Sequence, residues 1–256
     1  MARKPKPQIR IGIGGWNYAP WRGEFYPKDL VQKRELEYAS SKLSTIEINS
    51  TFYGSQKPTS FARWYAETPK DFVFAVKGPR YATNRRVLAE AGESIERFFE
   101  SGVLLVKEKL GPINWQLAPS KKFDAADIEA FLKLLPKKLE ERPLSHAIEV
   151  RNASFDTPEF LALARKYGLA IIIDGDSEYP EITDTQSPFV YARIMGTSSK
   201  QKSGYTDRDL DAWAAQAKNW GSDGREVFLY VISGFKARNP AAAMALIERV
   251  DRREPH

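Results

Sequence analysis

The stretch TIEINSTFYGSQKPTSFARWYAETPKDFVFAVK (45–77) holds one strand–helix–strand unit. Thr45–Asn49 and Phe72–Lys77 are short runs rich in β-branched and aromatic residues, whereas 60–67 carries apolar residues at helical spacing. Working outward, the same alternation recurs. Towards the N-terminus lie a strand at Ile9–Gly14 and a helix at 30–42. Towards the C-terminus, strands are expected at Ile113–Leu117, His146–Val150, Ala170–Asp174, Phe189–Ile194 and Val227–Ile232. The helical patterns beyond residue 77 are an amphipathic run over 93–110 and segments at 125–135, 158–167, 207–219 and 240–250. The crossover 175–188 has no helical pattern. Eight strands alternating with about seven helices predict parallel βαβ units and the fold class α/β, a single (β/α)8 TIM barrel. An open doubly wound sheet is the rival, but no glycine-rich phosphate loop follows a strand.

The 256 residues match one such barrel, and 42% hydrophobic content suffices for a core. The expected organisation is a basic tail over 1–8 (Arg3, Lys4, Lys6) and one barrel domain over 9–256. Nothing in the N-terminal stretch has the apolar core of a signal peptide or anchor, and no apolar run reaches the roughly 18 residues of a membrane span, so no membrane partner and a cytoplasmic location are expected. With no cysteine and two histidines, His146 and His256, neither a thiolate metal site nor a histidine-rich zinc cluster is expected, and no cofactor is named. Nucleophilic triads fail for the same reason, since no histidine is placed to activate Ser50, Thr51 or Ser233. The net charge of +6 suits an anionic ligand or an ordinary solubilising surface.

Side chains alternate across a strand, and in a barrel the carboxyl ends of the strands hold the ligand. Glu47 and Asn49 share one face against Ile46 and Ile48. Lys77 opposes Val76, Asn114 and Gln116 oppose Trp115, Glu149 and Arg151 oppose Ile148 and Val150, and Tyr191 and Arg193 oppose Ala192 and Ile194. Asp174 ends the sixth strand. Charges of both signs therefore gather toward one end, a costly arrangement unless they pair or hold a ligand. A structural ion-pair network and an anion-binding pocket both fit this pattern.

Several motifs carry a resemblance. GGWNYAPWRGEFYP (14–27), EINSTFY (47–53), FAVKGPRYATN (74–84), KLGPINWQLAP (109–119), HAIEVRNASF (146–155) and FVYARIMG (189–196) resemble the YecE-like family known as domain of unknown function 72. The resemblance runs from about Ile9 into the seventh strand and implies a TIM barrel, with no established activity. Its recurrent polar and aromatic positions fall here on Trp16, Tyr18, Glu47, Asn49, Phe52, Tyr53, Lys77, Arg80, Gln116, Glu149, Arg151 and Arg193. This chain departs from the family pattern at Asn84 and Met195, where many relatives carry histidine, and at Ile232-Ser233-Gly234, where Asn-Asn is frequent.

The expected site follows. Lys77, Arg80, Arg151 and Arg193 bind a phosphate or carboxylate, and Asn49 and Gln116 add neutral hydrogen bonds. Trp16, Tyr18 and Tyr53 cover the ligand, and Asp174 lines it. Glu47 and Glu149 orient the cations or act as acid/base groups in hydrolase- or isomerase-type chemistry. A magnesium or manganese site on Glu47, Glu149 and Asp174 is a further option. A glycosidase pair is disfavoured because the neighbouring cations would keep both carboxylates ionised. Lys77 as a Schiff-base lysine is disfavoured because those carboxylates favour its charged form. The rival of a different class is a nucleic-acid binder using Lys77, Arg80, Arg85, Arg86, Arg151 and Arg193 with Tyr81 and Trp16.

Overall fold

The computed structural model describes residues 8–252. The basic tail, apart from Gln8, and His256 lie outside them. Parallel strands alternate with helices in the manner of a TIM barrel, and the main sheet counts nine strand segments where eight strands were expected. The difference lies in the apolar run 170–174, which forms two segments, Ala170–Ile171 and Ile173–Gly175. Ile172 between them donates its N–H to the Ile148 carbonyl at 2.9 Å.

The chain forms two compact units. The first comprises the described residues up to Ile46, Gly175–Ser177, and those from Phe189 onward. It contains β1 (Ile9–Gly14), α1 (Glu35–Lys42) and the start of β2 (Thr45–Ile48), then β10 (Val190–Ile194), α8 (Asp207–Trp220), β11 (Val227–Val231) and α9 (Asn239–Asp251). β11 lies between β1 and β10, parallel to both, with Gly12 and Arg193 in register with Tyr230. Gly12 has no alternative in this register, because a Cβ there would stand 1.9 Å from the Thr45 carbonyl oxygen. The Thr45 hydroxyl in turn meets the Tyr230 hydroxyl at 2.8 Å in the buried interior. Helix α8 starts where Thr206 caps the Asp209 N–H, satisfying one of the orphan donors of a helix N-terminus.

The second unit comprises Glu47–Asp174 and Glu178–Pro188. In chain order it holds the rest of β2, α2 (Ser50–Tyr53), α3 (Pro58–Ala66), β3 (Val73–Lys77), α4 (Arg80–Thr83), α5 (Gly92–Glu100), β4 (Leu110–Gln116) and α6 (Ala125–Leu134). A small antiparallel pair, β5 (Lys138–Leu139) with β6 (Arg142–Pro143), precedes β7 (His146–Glu149), α7 (Pro158–Tyr167), β8 (Ala170–Ile171) and β9 (Ile173–Gly175), whose last residue is counted with the first unit. The parallel pairs run β3–β4, β4–β7 and β7–β8. Helix α7 shows how the sequence sets its own limits: Thr157 caps the Phe160 N–H, Pro158 sits in the first turn, and Gly168 ends it in the left-handed region.

One expectation fails here in a useful way. The amphipathic run over 93–110 is not one helix. α5 stops at Glu100, Gly102 takes a left-handed φ of 98°, and a 3-10 segment follows over Val103–Lys109. The break lets β4 begin at Leu110, three residues before the expected Ile113. Of the apolar residues in this run, Phe98, Val103 and Val106 enter the core, whereas Phe99 and Leu104 are half-buried.

Candidate anion site of the second unit

Strand register brings the polar residues together. Lys77 pairs with Asn114, Asn114 with Ala147, and Gln116 with Glu149. Trp115 points the other way, into an apolar pocket with Phe98 and Phe131, so its neighbours Asn114 and Gln116 share the opposite face. Close packing fixes this arrangement: a Cβ on Gly78 would lie 2.4 Å from the Trp115 ring.

On that face, Lys77 Nζ donates to Gln116 Oε1 at 2.5 Å, and an Arg151 Nη donates to the same oxygen at 3.1 Å. Arg151 Nε donates to Glu149 Oε1 at 2.6 Å, its Nη lies 2.5 Å from that oxygen, and its guanidinium stacks over the Tyr179 ring at 4.4 Å. Asn114 Nδ2 donates to Glu47 Oε2 at 3.3 Å and to Glu149 Oε2 at 3.2 Å. Lys77 Nζ also stands over the Phe52 ring at 4.5 Å. Glu47, Asn114 and Glu149 are fully buried, Lys77 and Gln116 nearly so, and the Arg151 side chain is 17% exposed, the outermost member.

Two carboxylates face two cations, so the cluster is balanced in formal charge. Its geometry is uneven, however. Glu149 engages both Arg151 and Asn114, whereas the Lys77 ammonium and the Arg151 guanidinium converge on a neutral amide oxygen. The Asn114 Oδ1 atom is buried with no hydrogen-bond partner among the described residues, a condition that ordinarily costs about 1–3 kcal/mol.

The other expected site residues are distributed as follows. Among the described residues, the Asn49 side chain reaches the Glu47 carbonyl, at 3.5 Å. Tyr53 and Arg80 form an exposed pair, the guanidinium 5.9 Å from the ring centre, and Tyr81 flanks Arg80 on its other side at 5.6 Å. Asp174 is buried in β9. Trp16, Tyr18 and Arg193 belong to the first unit. There the Trp16 carbonyl accepts from the Tyr26 hydroxyl, Lys236 stands over the Tyr18 ring at 4.4 Å, and Arg193 is buried in β10. Among the described residues no three His, Cys, Asp or Glu side chains come together as a metal-ligating group, so the three-carboxylate cation site is not formed.

Three participants lie outside the expected set of site residues. Asn114 obeys the same parity as Gln116 and was accessible by that rule. Thr51 ties α2 to the site by donating from its hydroxyl to the Lys77 carbonyl at 2.7 Å, and it also lines a cavity of about 160 Å³ with Gln56, Pro79, Tyr81 and Ser94. Tyr179 comes from the crossover 175–188, where no periodicity marks it. That crossover is anchored to α7 by Arg165, whose guanidinium donates to the buried Asp184 carboxylate at 2.8 and 3.1 Å.

None of the helices among the described residues is long and apolar enough to cross a membrane. The chain is 27% identical over 158 residues to the UPF0759 protein YunF of Bacillus subtilis, a match covering 59% of this chain and 54% of YunF; the aligned part thus spans about half of that relative. It superposes on the crystal structure of a DUF72 family protein from Thermotoga maritima with a TM-score of 0.80 at 20% identity, covering 96% of this chain and all of the other. A xylose isomerase-like TIM barrel, fused in its own chain to a 4-hydroxyphenylpyruvate dioxygenase, gives 0.54 at 16% identity over 96% of this chain and 44% of that one. These likenesses carry the TIM-barrel fold. The model of the family "protein of unknown function DUF72" matches residues 10–256, and the chain belongs to that family.

Proposed function

We propose that this protein binds a small phosphate- or carboxylate-bearing ligand, in the cytoplasm, through Lys77 and Arg151. The observation that carries this reading is the convergence of both cations on Gln116 Oε1, at 2.5 and 3.1 Å. An anionic oxygen seated beside Gln116 Oε1 gains two charge-assisted bonds, one from the Lys77 ammonium and one from the Arg151 guanidinium. Glu149 holds the Arg151 fork in orientation, Asn114 ties Glu149 to Glu47, and the two carboxylates are the groups available for proton transfer to a bound ligand. Tyr179, stacked on Arg151, covers the outermost cation. Asn49 and Asp174, with Arg80 and Tyr53 at the surface, are the further ligand-binding positions.

The test compares Arg151→Ala and Glu47→Gln with the unaltered protein, using calorimetric titration and thermal shift against a panel of small phosphates and carboxylates. Binding by the unaltered protein that Arg151→Ala loses supports the reading. Variants that bind the panel as the unaltered protein does, while melting at a lower temperature, leave the cluster a purely structural network.

A further inference from the structure

A second basic feature of the same unit is separate from the Lys77–Arg151 cluster. The loops that follow β3 and β4 enclose an open cleft of about 550 Å³ lined by Thr83, Asn84, Arg85, Arg86, Ala118, Ser120, Lys121 and Lys122. Four of these residues are cations and none is an acid. Two of the cations are held in place. Arg85 donates to the Tyr81 carbonyl and the Ser94 hydroxyl, at 2.8 and 3.1 Å. Lys121 donates to the Arg86 carbonyl at 2.8 Å and to Asp127 at 2.5 Å. Burial opposes ionisation of Asp127, but the Lys121 ammonium and the backbone N–H groups of Ala89 and Leu88 outweigh it and hold the carboxyl below its usual range. Asp127 therefore acts as a fixed brace for Lys121. The side chains of Arg86 and Lys122 are exposed and make no hydrogen bond or ion pair among the described residues.

The independent observation is Thr83. It lines the cleft yet is only 1% exposed, and its hydroxyl has no hydrogen-bond partner among the described residues. A buried hydroxyl without a partner is unusual, because native structures satisfy nearly all such groups. Here it lies within a lining whose every charge is positive.

We propose that this cleft is a phosphate-binding subsite, taking the oxyanion of a phosphoester on Arg86 and Lys122, with Thr83 contributing its hydroxyl and Arg85 and Lys121 the braced positive field. Arginine and lysine at one position suit a tetrahedral dianion, the arginine by its planar fork and the lysine as a point charge. The subsite does not depend on the Lys77–Arg151 reading. The phosphate is carried by a small phosphomonoester or by a phosphodiester chain.

The full-length protein is titrated with inorganic phosphate, with a phosphomonoester and with a short single-stranded oligothymidylate, alongside Arg86→Ala/Lys122→Ala, Thr83→Val and Arg151→Ala. The double variant weakens phosphate binding about tenfold or more. Thr83→Val weakens it several-fold while the melting temperature holds or rises, because valine replaces an unsatisfied buried hydroxyl at equal shape. A steep loss of oligonucleotide affinity with salt identifies the phosphodiester as the source, whereas tight, salt-tolerant binding of the monoester identifies the small molecule. The inference is overturned by absence of phosphate binding, by binding that the double variant leaves unchanged, or by binding abolished by Arg151→Ala alone, which assigns the anion to the other site. A Thr83→Val protein that melts lower while binding normally removes Thr83 from the subsite.

Discussion

His146 makes the stability of this protein sensitive to acid in a calculable way. The Trp115 indole donates to its Nδ1 at 3.0 Å, and its Nε2 faces the Pro136 carbonyl at 2.8 Å. A carbonyl only accepts, so Nε2 carries the hydrogen and Nδ1 must stay bare to receive the indole N–H. Protonating Nδ1 sets two N–H groups against each other in a dry pocket. Burial pushes the imidazole down from 6.5 to about 4, against the opposing pull of the Pro136 carbonyl. Between those values the unfolded chain binds the proton and the folded chain does not. The contribution of neutral His146 is therefore full above pH 6.5, shrinks as pH falls, and is gone below about pH 4. At about 1.4 kcal/mol per pH unit, the gap is worth about 3 kcal/mol. His146→Gln keeps an acceptor for Trp115 and a donor for Pro136 and does not titrate. Urea unfolding at pH 7.5 and pH 4 reads the difference: the unaltered protein should lose about 3 kcal/mol more than the variant across that range. Parallel losses in the two proteins, or a larger loss in the glutamine variant, refute the argument.

Two further substitutions probe the frame around the site. Gly12→Ala drives a Cβ into the Thr45 carbonyl oxygen, a backbone atom that cannot step aside, so a loss of about 3 kcal/mol or more is expected in urea unfolding. Asn114→Asp replaces the donor between Glu47 and Glu149 with a third buried carboxylate. It should cost about 3–5 kcal/mol at pH 8, part of which returns at pH 5, where protonation relieves the repulsion; a pH-independent loss would show that packing alone is damaged.

The strand parity visible in EIN, VK, NWQ and IEVR was sufficient to foresee that Glu47, Lys77, Gln116 and Glu149 would share a face, because alternation is a property of the extended backbone and needs no tertiary information. Arg151 joins them from one residue beyond the Glu149–Val150 pair, in the β7 exit loop. The same rule pointed to Asn114. What the sequence hid depended on loops. Tyr179 reaches Arg151 from a segment without periodicity, held by the Arg165–Asp184 pair, whose partners are 19 residues apart. The helix expected to continue to Leu110 stops because Gly102 turns left-handed; a glycine inside an amphipathic run is compatible with either outcome until the packing of Val103 and Val106 decides it. The basic cleft was half foreseen in Arg85 and Arg86. Lys121 and Lys122 follow the Pro119-Ser120 turn and are brought to those arginines only by the pairing of β3 with β4. The break at Ile172 is likewise invisible in a run of unbroken apolar residues.

We propose that Lys77 and Arg151 hold an anionic oxygen beside Gln116. Crystals soaked in selenate, a tetrahedral anion with an anomalous signal, test it directly. An anomalous peak is expected there, from an anion whose oxygens lie about 3 Å from both Lys77 Nζ and the Arg151 guanidinium. Lys77 and Arg151 unchanged on Gln116 and Glu149 at a saturating soak, with no peak between them, would contradict it.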